Sequence, residues 1–424
     1  MVRNNFIRAG ALLATAAVFA SFCFAQFGSS IQGIVSDPSG AVVPNASVTL
    51  TNTNTHVVQT TNSDGGGNFR FVSLAPGPYK VTVMQTGFTQ AEILVELLTG
   101  QVSNVPVVLT LASKSSAVSV TARAPVLDTA DSRNELTLEE AALANLPMQG
   151  RNLITLVTAA PGVTGLGTVA ALTPGAAVDN FSTETQVDAS ANGRSSVGNL
   201  FIVDGLDVTS DIRPGVLNVT PNPDAIQEAS VQTNTFTVDY GRASAIQMVM
   251  TTKSGSEQFH GNVSDYFTNE SLWATTEFTH SYLPFRAHNI SGTIGGPISP
   301  RHKTFFFFSI EPLRSTSSSG SSLTYEDPAF ISYATQTYPS SLGAQIISKY
   351  PVKNVTQTGS AILASTAFPG TCGTAATDNL PCSLAIFDTG NFTSSSYRNG
   401  LQYSARIDKY WSSDRLYGNF LRTT

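Results

Sequence analysis

Residues 192–211 read NGRSSVGNLFIVDGLDVTSD and residues 222–261 read NPDAIQEASVQTNTFTVDYGRASAIQMVMTTKSGSEQFHG; the fold turns on how this stretch is taken. It holds the apolar runs Asn199–Val203, Ile226–Val238 and Ala245–Thr252. The last two approach period-two alternation and are rich in β-branched residues, which argues for strands. Asp204-Gly205, Asp239-Tyr240-Gly241 and Lys253-Ser254-Gly255 punctuate them as turns. Taken alone, this is a small mixed β unit with glycine-permitted turns.

On its N-terminal side the pattern becomes helical. Thr137 followed by Glu140 has capping-box spacing, and Leu138, Ala141, Ala142 and Leu143 follow before Pro147 stops the helix. A further helical run, Arg151–Ala160, is closed by Pro161-Gly162, and the Gly/Ala/Thr-rich Leu166–Ser190 reads as a loop. Residues 113–255 are therefore expected to form an α+β domain.

On the C-terminal side, Gln258–Phe267, Ala287–Gly295, Thr304–Glu311, Leu401–Tyr410 and Arg415–Leu421 read as strands. In the clearest, Leu401, Tyr403, Ala405 and Ile407 alternate strictly with Gln402, Ser404, Arg406 and Asp408. One face suits lipid and the other a polar interior, the pattern of a transmembrane β-barrel. Gly296–Lys303 and Trp411–Asp414 are short turns, whereas Asn269–Arg286 and Pro312–Gly400 are long connections. Short turns at one end and long loops at the other is barrel asymmetry. Phe305–Phe308 fits an aromatic girdle. A helix with Ser340 or Ser341 as cap, Leu342, Ile346 and Tyr350 as its stripe and Pro351 as its stop is expected inside the long loop, the best ligand-facing surface.

Ahead of all this, Ser29–Leu111 alternates short runs with turns: Ile31–Val35, Ala46–Asn52, His56–Thr61, Asn68–Val72, Tyr79–Gln85, Ala91–Leu97 and Val105–Leu111. Seven runs at this spacing predict a β-sandwich over 26–112. Phe69, Phe71, Tyr79 and Phe88 serve either its core or a sugar-stacking surface.

Composition narrows the functions. Charged residues make up 12% of the chain, about half the roughly 25% usual in a soluble domain. A net charge of −6 and a pI near 5.4 give no basic footprint, which disfavours nucleic-acid partners. Past the N-terminus no stretch approaches the roughly 18 apolar residues of a membrane helix. Arg3 and Arg8, the apolar Ala9–Phe22 and Cys23-Phe24-Ala25 read as a signal peptide, residues 1–25, cleaved before Gln26. In an exported chain Cys372 and Cys382 are expected to pair, a zinc pair being the weaker reading because no histidine lies near. His56, His260, His280, His288 and His302 form no HxxE or HExxH pair. No P-loop, GxSxG or triad spacing is present, so neither catalytic residues nor a cofactor are expected. Asp204, Asp207 and Asp211 form the best polar cluster, as turn caps or as a metal site, with turn caps preferred.

The motifs add a resemblance. Val203-Asp204-Gly205-Leu206-Asp207-Val208, Asp239-Tyr240-Gly241-Arg242, Thr252-Lys253-Ser254-Gly255 with His260-Gly261, and Asn145–Asn152 resemble the plug domain of TonB-dependent outer-membrane receptors, Oar-like branch. The run PFRAHNISGTIGGPI…HKTFFFFSIEPLR resembles the start of that family's barrel. GIVSDPSGAVVPNASVTLTNT, DGGGNFRF and LAPGPYKVTV resemble a carboxypeptidase regulatory-like domain, a name that implies no protease here. The resemblance implies a mainly β chain: an N-terminal seven-stranded β-sandwich in the periplasm, an α+β plug over 113–255, and the first strands of an incomplete transmembrane β-barrel over 256–424. Its plug-motif residues here are Asn192, Gly193, Arg194, Asp204, Gly205, Asp207, Tyr240, Gly241 and Arg242, with Arg151, Arg194 and Arg242 as structural residues facing the lumen. Ala117–Ala122 resembles the segment that pairs as an added strand with TonB, the inner-membrane energy-coupling protein, which makes Val118, Ser119, Val120 and Thr121 contact candidates. The same residues also read as a first plug strand or a linker. Implied partners are TonB, outer-membrane lipid and an extracellular ligand of the saccharide, peptide or metal-chelate kind. A carbohydrate-binding or adhesive surface protein is the alternative. Plugged barrels of this kind close about 22 strands, so a chain with only the opening strands is expected to be a fragment that makes no pore by itself.

Overall fold

Apolar–polar alternation from Ser29 to Val108 closes two sheets onto a shared core. The structure, a computed structural model, describes residues 28–111, 120–123, 134–168, 179–181, 184–236, 241–272, 284–411 and 414–424; the expected signal peptide lies outside them. The strands are β1 (Ser29–Ser36), β2 (Ser47–Asn52), β3 (Val58–Asn62), β4 (Asn68–Leu74), β5 (Gly77–Met84), β6 (Ala91–Leu97), β7 (Val102–Asn104) and β8 (Val107–Val108). In one sheet β1 lies between β4 and the parallel β7 and β8; the other runs β3-β2-β5-β6-β9, where β9 is Val120–Arg123. Ile31, Val48, Leu50, Val81, Val83, Leu97 and Leu109 fill the space between them. The run expected over Val105–Leu111 is split, because Pro106 interrupts it and cannot donate to a ladder. β9 was expected with the next domain; it instead extends the sandwich sheet, parallel to β6.

The middle domain is built on the opening stretch. Its strands are β10 (Glu135–Glu139), β11 (Val163–Thr168), β12 (Thr185–Ala191), β13 (Leu200–Val203), β14 (Leu206–Asp207), β15 (Val216–Leu217), β16 (Ile226–Gln232) and β17 (Gln247–Thr252). The main sheet runs β10-β16-β17-β13-β14, with β13 parallel to β17; β11-β12-β15 form a smaller one. Ile154, Val157, Phe201, Ile226, Ile246 and Met248 are among its buried core. The turn Asp204-Gly205 joins β13 to β14 with φ of 49° and 82°, the paired positive values that a two-residue type I′ hairpin requires.

Three expectations are corrected here. Thr137 caps no helix: it lies in β10, where its hydroxyl donates to Glu135 Oε1, and helix α1 (Glu140–Asn145) starts later without a side-chain cap. The five-residue ladder of β10 on β16 outcompetes a single capping bond. The second helical run is a 3₁₀ helix, Leu153–Ala159, capped by Asn152, whose side chain accepts from the Ile154 amide at 3.0 Å. The stretch Leu166–Ser190 is not all loop, because β11 runs into it and β12 leaves it with Val187 and Ala189 buried.

The C-terminal strands are β18 (His260–Asn269), β19 (Phe285–Ser299), β20 (Thr304–Glu326), β21 (Val355–Gln357), β22 (Ile362–Leu363), β23 (Ala385–Tyr410) and β24 (Arg415–Thr423). β18, β19, β20, β23 and β24 pair antiparallel with one another in that order, and among the described residues the sheet is not closed into a barrel. β23 has 26 residues, whereas a crossing strand needs about 9–11. The β20–β23 ribbon therefore stands far beyond a bilayer, and the expected loop over Pro312–Gly400 shrinks to residues 327–384. The Ser-rich 315–322 and 394–396 read as loop because strands outside lipid need no apolar face; here they pair with each other. At the tip, α2 (Pro328–Thr337) and α4 (Ala364–Ala367) pack around a small core of Ala364, Leu380 and Ile386, α3 (Leu342–Lys349) lies against α2, and Cys372 is bonded to Cys382. Ser341 stands at the cap position of α3, but Leu342, Ile346 and Tyr350 are exposed.

Alternation decides the two faces of this sheet. Ile290, Ile294, Ile310, Leu401, Ile407, Leu416 and Phe420 are exposed on one, while Ser291, Ser309, Glu311, Gln402, Ser404, Arg406 and Asp408 are buried on the other. Only half of the expected girdle forms. Phe305 and Phe307 point inward, 0% and 2% exposed, beside Tyr410 and His260, leaving Phe306 and Phe308 for the outer face.

Candidate functional site

The polar inner face of the sheet is covered by the middle domain, and the contact is made by two buried ionic clusters. In the first, the I′ turn delivers Asp204 to Arg406 of β23. Arg406 Nη1 donates to Asp204 Oδ1 at 3.0 Å, to the Thr252 carbonyl at 2.9 Å and to Thr252 Oγ1 at 2.7 Å. Its Nε and Nη2 donate to Asp408 at 3.0 and 3.2 Å, and Arg415 Nη2 reaches the same carboxylate at 2.6 Å. Asp204 also accepts from the Thr252 amide and from Asn419 Nδ2, and Tyr417 OH donates to its carbonyl. Two cations thus face two carboxylates, and the planar guanidinium bridges both sides of the contact. Burial without such pairing is strongly unfavourable.

The second cluster centres on Arg151, which precedes the 3₁₀ helix with φ of 56°. Its Nη2 lies 3.0 Å from Asp224 Oδ1, its Nε 3.7 Å from Glu311 Oε1, and its guanidinium 3.5 Å above the Tyr266 ring. Asn180 donates to Glu311 at 2.6 Å, and Asn222 donates to Ser291 and Ser309 at 2.9 and 3.0 Å. Burial alone would raise the Asp224 carboxyl, but Arg151 and the hydroxyls of Ser291 and Ser264 outweigh it and hold it below its usual value. Further bonds run from Gln402 to the Thr220 carbonyl and from Arg398 to Asp179.

The motif residues divide. Asp204 and Gly205 make the turn that carries the first cluster. Asp207 caps Thr209 and, with Asp211, pairs with the exposed Arg242. Since Asp204 faces Arg406, the three aspartates do not converge, and no group of three metal-ligating side chains occurs among the described residues. Asn192 and Gly193 form a turn at φ of 52° and 74°, with the Asn192 amide on the Thr233 carbonyl. Arg194 and Gly241 are exposed; of the three arginines expected to face inward, Arg151 alone is buried. Tyr240, Val118 and Ser119 lie outside the described residues, and Val120 and Thr121 are in β9. Sequence reading missed Glu311, Asp408 as a partner of Arg406, and Arg415. A charge on the inner face of a lipid-exposed strand was the available signal.

The sandwich docks at the end of the sheet that carries the short turns. The Thr99 amide donates to Glu228 at 2.9 and 3.1 Å, and the hydroxyls of Thr99 and Thr251 meet at 3.0 Å. Lys303 reaches the Thr55 carbonyl at 3.1 Å and pairs with Glu257, which also meets His56 at 3.0 Å. Sandwich, middle domain and sheet together line a polar cavity of about 480 Å³ around Lys253, Gln258 and His260. Gly255 at its wall leaves no room for a side chain, as a Cβ would stand 2.3 Å from the Phe306 carbonyl. Phe69, Phe71 and Tyr79 are buried and Phe88 packs on the same core, so these rings form no sugar platform.

Burial, with Glu135 and Glu139 nearby, pushes the Glu228 carboxyl up to about 7 against the Thr99 bonds. The folded chain therefore holds this proton more tightly than the unfolded one, and stability present below pH 4.5 is lost as pH rises to about 7. Glu228→Gln is expected to flatten the pH 5–8 stability profile, removing a loss of up to roughly 3 kcal/mol. Denaturant titrations at both pH values check this; an unchanged slope in the variant refutes it.

Comparison with known proteins follows the same division. Residues 30–110 match the carboxypeptidase regulatory-like domain and residues 251–424 the outer membrane beta barrel domain. The chain is 26% identical over 318 residues to the TonB-dependent transporter Oar of Myxococcus xanthus, covering 72% of this chain and 28% of that protein. The chain thus spans just over a quarter of its relative's length. Among solved structures, the R480A ferric enterobactin receptor of Pseudomonas aeruginosa, in complex with enterobactin, matches at 13% identity and a TM-score of 0.36, over 70% of this chain and 34% of that one.

Fold and matches give the same arrangement: a carboxypeptidase regulatory-like domain ahead of antiparallel strands that match the outer membrane beta barrel domain. In that arrangement the chain is similar to the TonB-dependent transporter Oar.

Proposed function

We propose that the chain serves ligand-gated, energy-coupled uptake across the outer membrane, with residues 134–255 as the plug, the sandwich in the periplasm and the helical tip over 327–384 facing the outside. The observation that carries this reading is the middle domain, charge-paired through Arg151 with Glu311 and through Asp204 with Arg406 against the inner face of a sheet whose outer face is apolar. A domain held by ion pairs, rather than by an apolar seam, can be displaced into water without exposing a large greasy surface. Displacement needs work, which an added-strand contact with TonB near residues 118–121 would deliver through main-chain hydrogen bonds. The ligand is expected to be a saccharide, peptide or metal chelate met at the outer tip, and no covalent step is required.

The test is capture of the TonB periplasmic domain by the full chain in outer membranes. Val120→Pro, which removes a backbone donor, is expected to weaken capture at least about tenfold. Absence of capture by the unaltered chain, or full capture by the proline variant, would overturn the reading.

A further inference from the structure

We infer that the β6 edge of the sandwich is a strand-accepting surface whose resting occupant is Val120–Arg123, so that a strand-adding partner competes with the sandwich for this segment. The inference rests on the proposed coupling role of residues 118–121 and adds to it the surface that holds the segment at rest. The register is parallel: Ala91 lies beside Val120, Glu92 beside Thr121, Ile93 beside Ala122 and Leu94 beside Arg123. On its other side β6 is paired along its whole length with β5, from Gly77–Leu97 to Val83–Ala91. Without β9, then, β6 would be an open sheet edge, a template for any incoming strand.

The bond suits a releasable contact. β9 is four residues long, and parallel pairing is the weaker kind per residue. Strand addition relies on main-chain groups, so one segment can exchange between two acceptors without a matched sequence. The acceptor itself is fixed in place. Two residues beyond β6, the Thr99 amide is bound to Glu228 of β16, and β16 is paired along β10, the next described strand after β9. Sandwich, segment and middle domain thus form a closed loop of contacts: β9 on β6, Thr99 on Glu228, and β16 on β10. Drawing β9 off β6 opens this loop and leaves the pull bearing on β10 and the middle domain. The sandwich thereby sets a threshold for engagement of the coupling partner.

The experiment joins the register pair with cysteines, Glu92→Cys with Thr121→Cys, in the full chain in outer membranes. A control pair places Thr121→Cys with Thr60→Cys on β3, the opposite edge of the sheet. The expected result is oxidation to a cross-link in the first pair and not in the control. The cross-linked chain is expected to capture the TonB periplasmic domain at least tenfold less than the same chain after reduction. Failure of the 92–121 pair to cross-link, or equal cross-linking of the control, would overturn the strand pairing. Undiminished capture by the cross-linked chain would overturn the competition and place the partner on the outer edge of β9. Loss of capture in both redox states, and in the chain without the introduced cysteines, would instead sink the coupling reading itself and the inference with it.

Discussion

Replacing Arg406 with alanine is expected to destabilise the chain by about 3–5 kcal/mol, the range for removing one partner from a buried ion pair. The substitution leaves Asp204 facing β23 without its cation and strips Asp408 of two of its bonds, deep in a contact where Arg406 is 2% exposed. Arg415 still reaches Asp408, so the loss falls chiefly on Asp204 and on the grip between middle domain and sheet. Arg406→Lys is expected to recover less than half, because a single ammonium cannot serve Asp204, Thr252 and Asp408 together as the guanidinium fork does. Protease nicking of the middle domain at increasing urea in outer membranes measures this directly. Wild-type resistance in the alanine variant would show that the ion pairs do not hold the domain.

Arg151→Met carries the second large effect. Glu311 and Asp224 then share a buried region with no cation against either, and a loss of roughly 3 kcal/mol or more is expected. The compensating change separates charge from packing: with Glu311→Met and Asp224→Asn added, stability should return to within about 1–2 kcal/mol of wild type, since apolar replacement of whole buried ion groups is often neutral. A triple variant no better than Arg151→Met would assign the effect to lost stacking on Tyr266, 3.5 Å away, rather than to unpaired charge. The two clusters are expected to behave additively, as they share no partner.

The strands of the opening stretch were legible because β-branched alternation and the Asp204-Gly205 turn report local geometry. The inner and outer faces of Leu401–Asp408 were legible for the same reason. What could not be read is pairing at a distance: Asp204 and Arg406 are 202 positions apart, and no local pattern links them. Thr137 misled because a cap signal and an edge-strand ladder compete for one backbone, and the ladder's partner is at 228–232. The Ser-rich arms of β20 and β23 misled because strands that stand in water on both faces carry no alternation. β9 was assigned to the wrong side of a boundary for a related reason, since main-chain pairing places few demands on side chains.

One measurement bears most directly on the whole account: a nitroxide scan of β23 and β24 in outer membranes, reading collision with oxygen against collision with a water-soluble metal complex. Labels at 401, 403, 405, 407 and 420 are expected to show lipid contact, and labels at 402 and 404 to be immobilised and shielded from both reagents. Uniform access to the water-soluble reagent along 401–407, with no alternation, would contradict a plugged, lipid-facing sheet.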